Sequence, residues 1–232
     1  YRKALTAPSD IAEDGEVPIT TRRYVLIGEE ATNADRNGDT ARALELWSSR
    51  VLMSRQSVGW QKERAPDNLG AESMFGRQLA RDLLSRARTH LSMEEYPEAL
   101  IGLRESMAIR TRITDIDPDP ARLLEREKGR IMLAQALWGD KQFEQGLKEA
   151  VDAANHLQRL VTENPKYTEA VRDQGLATLS VMQFALMPDA KITIDEASYR
   201  TLFTISVNNA AKLVQLDPSA ANWEMHLDFI EL

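Results

Sequence analysis

Two stretches of this chain superimpose at a fixed offset. Laying residues 87–118 on 134–165 brings Ala87 onto Ala134, Tyr96 onto Phe143, Ala99 onto Gly146, Leu100 onto Leu147 and Pro118 onto Pro165, always 47 positions apart. An offset of that length marks a repeated supersecondary unit, and a unit that cannot bury its apolar face alone must stack on its neighbours. The unit is helical. Leu147, Ala150, Val151, Ala154, Leu157 and Val161 follow the i, i+3, i+4, i+7 spacing of one helix face. Leu100, Leu103 and Met107, then Ile109, Ile113 and Ile116, form a second stripe that drifts round its helix. Looser copies flank these two: Pro66 lies 52 residues before Pro118, and Pro218 lies 53 after Pro165.

The breaks predict an all-α chain of about nine helices, near 20–37, 40–63, 67–92, 97–114, 120–138, 142–162, 166–186, 195–216 and 219–232. Asp119, Asn164 and Asp217 each precede a proline, which suits an N-cap followed by a residue whose missing N–H is not needed. "SMEE" (Ser92 to Glu95) and "TIDE" (Thr193 to Glu196) have capping-box spacing. Helices joined by such short turns lie antiparallel. "KITID", 191–195, is the one strand-like run, and it is too short to found a sheet. Residues 1–18 mix prolines, a glycine and acidic residues without periodicity, as in an arm or linker. The expected domain is 19–232, with approximate units 20–66, 67–118, 119–165 and 166–218 and a partial unit 219–232.

Charge and composition narrow the function classes. With 36 acidic against 29 basic residues the net charge is -7, which provides no global positive field for nucleic acid. The absence of cysteine removes disulfides, thiolate nucleophiles and cysteine-held metals together. No apolar run reaches bilayer-spanning length, so no membrane span is expected in this segment. The compartment stays open between the cytoplasm and an extracytoplasmic part of a membrane protein. The opening "YRKALTAPSD" and the helical "ANWEMHLDFIEL" at the other end suggest a piece of a longer polypeptide.

Each candidate site has a plainer reading. Asp115, Asp117 and Asp119 alternate like the start of a calcium loop, but such a loop needs glycine at position 6 and glutamate at 12, where this chain has Pro120 and Arg126. They read as punctuation between two helices. His90, His156 and His226 lack the carboxylate and histidine spacing of metal-binding helices. Nucleophile elbows, phosphate-binding loops and dinucleotide fingerprints are missing, so neither catalysis nor a cofactor is expected. Trp47, Trp60, Trp138 and Trp223 read as packing residues. The one charged arrangement with a functional reading is a row of arginines: Arg122, Arg126 and Arg130 at i, i+4, i+8, with Arg77, Arg81 and Arg88 on the preceding first helix. Together they are a candidate basic strip for an acidic peptide or a C-terminal carboxylate; the plainer reading is a solvated face with local ion pairs, because Glu125, Glu127 and Asp82 are interspersed.

Tyr96 three before Ala99 with Pro118 beyond, Trp138-Gly139-Asp140 with Phe143, Gly146 and Pro165, and "NGDTARAL" at Asn37 to Leu44 resemble the tetratricopeptide repeat. The resemblance is to its long-helix variety in multidomain bacterial proteins, because the period here is nearer 50 than 34. It implies antiparallel helix pairs stacked into a right-handed solenoid. It further implies a non-catalytic interaction scaffold within a larger regulatory or signalling protein, holding a protein or peptide in its concave groove. The alternative is a ligand-sensing or self-associating regulatory domain, with a homo-oligomer as its product.

Overall fold

A computed structural model describes residues 19–64, 66–186 and 195–217 of the chain. All regular elements among them are helices: α1 (Ile19–Arg36), α2 (Thr40–Arg64), α3 (Leu69–Ser92), α4 (Tyr96–Ile116), α5 (Pro120–Gly139), α6 (Phe143–Glu163), α7 (Thr168–Leu186) and α8 (Glu196–Leu216). Each helix packs on the next in sequence, and α5 also touches α3 and α7. The odd-numbered helices therefore form one layer of an all-α solenoid and the even-numbered helices the other. The predicted arm at 1–18, residues 191–194 of the strand-like run and the ninth helix at 219–232 lie outside the described residues.

The turns inside the pairs share one backbone device. Gly38, Glu94 and Lys141 have φ of 73°, 59° and 60°, each just beyond a helix end. The N–H of Glu95 reaches the carbonyl of His90 at 2.9 Å and that of Glu94 reaches Leu91 at 3.0 Å. Forty-seven residues on, Gln142 reaches Leu137 at 2.8 Å and Lys141 reaches Trp138 at 2.9 Å. These are the paired closing bonds of a left-handed helix cap, which reverses the chain in the fewest residues. The sequence offset is thus also an offset in backbone conformation.

Several predicted caps sit elsewhere. Asp119 does cap α5, accepting from the Ala121 N–H at 2.8 Å. Asn164 instead closes α6, and the Tyr167 N–H returns to its carbonyl at 3.0 Å. Pro165 occupies the second position of that turn, where its fixed φ is equally suitable, so α7 starts only at Thr168. Ser92 ends α3, donating to the Thr89 carbonyl at 2.8 Å, because the left-handed Glu94 comes between it and α4. At α8 the cap is Asp195, which accepts from the Ser198 N–H at 2.9 Å. Asp217 closes α8, and Pro218 lies outside the described residues.

Small residues set how closely the helices approach. Ala99 and Ala134 are fully buried, and a Cβ on Gly146 would collide with the Phe184 ring and lie 3.2 Å from the Ala134 carbonyl oxygen. Trp138 stands edge-on to Phe143 at 6.0 Å and to Phe184 at 4.4 Å, sealing the α5/α6/α7 junction. Trp47 is buried, with its indole N–H on Asp35 at 2.7 Å. Trp60 departs from the packing role expected of it: it is 48% exposed, with the edge of Phe75 beside it at 6.4 Å and the Arg64 guanidinium carbon 5.9 Å from its ring.

Two stability changes follow. Lys141→Gly and Glu94→Gly should each stabilise by about 0.5–1 kcal/mol in urea unfolding, since a side chain in the left-handed region is strained and glycine is not. Gly146→Val should destabilise by about 1–3 kcal/mol, because Phe184 has no space to move into.

Candidate functional site

Three carboxylates are taken out of water, one on each of α3, α5 and α7. Asp82 is 1% exposed; it accepts from the Tyr24 hydroxyl and the Ser54 hydroxyl, each at 2.6 Å, and pairs with Arg50 Nε at 3.1 Å. It therefore ties α1 and α2 to α3. Glu127, also 1% exposed, meets Arg126 Nε at 2.7 Å, His156 Nδ1 at 3.3 Å and Arg130 at 3.6 Å. Arg130 continues to Glu149 of α6 at 3.2 Å. Asp173 pairs with Arg172 at 3.2 Å and with Lys128 of α5 at 3.6 Å. Burial raises the pKa of Asp173 despite both cations, and burial likewise raises that of Glu149 against Arg130.

These carboxylates decide where the arginines point. Arg126 and Arg130, 12% and 16% exposed, turn inward onto Glu127 and α6. Arg122 is held by Asp117 at the α4/α5 turn. The residues that α5 leaves exposed are Pro120, Ala121 and Gln135, with Lys128 half-buried between the last two. Arg122, Arg126 and Arg130 are thus each engaged with an acidic partner.

Arg77, Arg81 and Arg88 lie along α3. Their spacing of four and then seven residues places them on one face of α3, with the exposed Met74. Arg81 reaches Glu125 of α5 at 3.2 Å. Arg77 and Arg88 have no ion pair among the described residues, and the Nε of Arg77 is shielded from water without a hydrogen-bond acceptor. The only carboxylates on α3 point elsewhere: Asp82 is buried, and Glu72 pairs with Arg112 of α4 at 2.7 Å.

A depression of about 530 Å3 lies on α1 and includes Tyr24, Gly28, Glu29, Asn33, Arg36 and, from α2, Arg50. Arg50 was not singled out by the sequence. Its guanidinium carbon lies 3.8 Å above the Tyr24 ring and 5.4 Å from that of Trp47. A Cβ on Gly28 would fall on Arg50 Nη1, so the glycine is what lets the guanidinium lie against α1. A Gly four residues after a Tyr on a helix is a weak signal, and nothing local ties it to an arginine 22 positions away.

Of the histidines, His90 contacts Glu95 at 2.7 Å, His156 belongs to the Glu127 cluster, and His226 lies outside the described residues. Among the described residues no three histidine or carboxylate groups are grouped to hold a metal, and no helix is long and apolar enough to cross a membrane. Asp117 closes α4 through its N–H on Ile113 at 3.0 Å, and Asp115 is exposed.

No protein-family model matches the chain, and no curated protein matches it. Among solved structures, one described as "DHF58 filament" aligns over 91% of this chain and 99% of its own, at 16% identity and a TM-score of 0.42. The crystal structure of MamA protein aligns over 91% of this chain and 92% of its own, at 14% identity and a TM-score of 0.34. At such scores neither likeness says what this chain binds.

The buried carboxylates generate two expectations. Asp82→Ala should cost about 3 kcal/mol in urea unfolding, because it strands the largely buried Arg50 without its counter-charge. Asp173→Asn should be more stable than the wild type at pH 7. The native pKa of Asp173 is raised, so the native state favours its neutral form; the stability it lends is complete below the unfolded pKa and is lost as pH rises through the folded one. The advantage of the asparagine variant should therefore vanish on acidification, as unfolding curves across pH would show.

Proposed function

We propose that this chain is a non-catalytic protein-interaction module, a TPR-like array of a larger regulatory or signalling protein, which holds an acidic protein segment against its odd-numbered helices. The observation that carries this reading is the state of Arg77 and Arg88. In a chain of net charge -7, the exposed Arg88 and the half-buried Arg77, neither with a carboxylate partner among the described residues, leave a local positive field for a ligand to satisfy. Helical rise puts them about 16 Å apart along α3, a span of about five residues in an extended peptide.

The mechanism is rigid display. A stacked array offers side chains at fixed spacing, so little ordering cost falls on the protein when a partner docks. Affinity comes from charge-assisted hydrogen bonds on this face, and the odd-helix layer supplies the length over which a partner can be read.

A photo-crosslinking residue at Ser85, on the same face as the three arginines, and one at Ile101, exposed on α4, would test this in the source cells. Ser85 should capture an acidic protein, and replacing Arg77, Arg81 and Arg88 together by glutamate should abolish the capture. Equal capture from Ile101, or capture that survives charge reversal, would overturn the reading.

A further inference from the structure

The depression on α1 has a property that the α3 arginines lack: its cation is fixed before any ligand arrives. Arg50 is fastened at three points. Its Nε forms an ion pair with Asp82 at 3.1 Å, its guanidinium carbon lies 3.8 Å from the centre of the Tyr24 ring, and Nη1 occupies the space that a Cβ on Gly28 would take. What remains to face the depression is the outer edge of the guanidinium, since Arg50 contributes to its lining and is 15% exposed. A planar fork held in this way binds a carboxylate without losing side-chain freedom, which is the usual cost of an arginine contact. Further along α1, the exposed Asn33 and Arg36 line the same depression, and Arg36 has no ion pair among the described residues.

We infer that the α1 depression is a carboxylate-binding subsite, in which Arg50 and Arg36 take two acidic side chains of one extended peptide. This rests on the reading of the odd-numbered helices as a docking layer. Gly28 and Arg36 are eight residues apart, about 12 Å of helix, and side chains lean back toward the helix N-terminus, which shortens the gap between the two cations. Acidic residues on alternate positions of an extended segment project to the same side about 7 Å apart and fit that spacing. Glu29 in the same wall selects the ligand. It repels a doubly charged phosphate more than a singly charged carboxylate, and it can accept an N–H from the peptide backbone.

The test is fluorescence anisotropy of the purified chain with three labelled peptides, Ser-Glu-Ala-Glu-Ala-Ser, its glutamine counterpart and its phosphoserine counterpart. The glutamate peptide should bind saturably and the glutamine peptide should not. Gly28→Ala displaces the guanidinium while keeping its charge and should lower the thermal midpoint, because it loosens Arg50 from Asp82, whereas Arg36→Ala removes an exposed cation and should leave the midpoint unchanged; each variant should remain folded and weaken binding about fivefold or more. Tighter binding of the phosphoserine peptide would overturn the carboxylate assignment. Glutamate binding untouched by Gly28→Ala and Arg36→Ala but lost on replacing Arg77 and Arg88 would overturn this subsite and leave the α3 docking face standing. Loss of binding in none of the variants would overturn both.

Discussion

A carboxylate removed from water must be matched by a cation, and that requirement organises this molecule. Asp82, Glu127 and Asp173 are each drawn into a helix junction, and each takes basic groups in with it: Arg50 at the first, Arg126, Arg130 and His156 at the second, Lys128 and Arg172 at the third. Such pairs contribute little net stability compared with apolar packing, yet removing a carboxylate that leaves a buried cation stranded, as Arg50 would be without Asp82, is costly. Their effect is therefore selective. They penalise arrangements in which a junction slips and leaves a charge alone, and they fix which of the many basic residues remain outside.

The rest of the fold provides the frame for those junctions. Identical left-handed caps at Gly38, Glu94 and Lys141 reverse the chain in the same way three times, which keeps successive pairs in register. Alanine and glycine at the crossings, Ala99, Ala134 and Gly146, bring backbones close enough for one aromatic, Phe184, to close the gap between units. Stacked units of this kind bury a continuous core that no single pair possesses. Because α5 is flanked by α3, α4, α6 and α7, only a narrow arc of it is left to solvent.

The burial of α5 separates what is legible in the sequence from what is not. Helical periodicity and proline spacing placed all eight described helices within about two residues, since both signals are local. The spacing of Arg122, Arg126 and Arg130 correctly says that they share a face of α5, but a spacing does not say which face. Glu127, between two of them, is the buried member, and its pull inward is visible only once α6 brings His156 and Glu149 to it. Asn164 and Ser92 were misplaced for a related reason: a cap residue closes one helix as readily as it opens the next, and the left-handed residue that decides between them at Glu94 carries no glycine to mark it. Arg50 was illegible because its partners come from α1 and α3, on either side of it in sequence.

Arginines that neutralise buried acids hold the array, and under the proposed function those left over would meet an acidic partner. The most direct test follows the arginine Nε–Hε resonances during titration with an acetylated hexaglutamate peptide. Binding on the α3 face should shift Arg77 and Arg88 and leave Arg126 and Arg130, which already face Glu127, unshifted. Shifts at Arg126 and Arg130, or a spectrum that the peptide leaves unchanged, would contradict it.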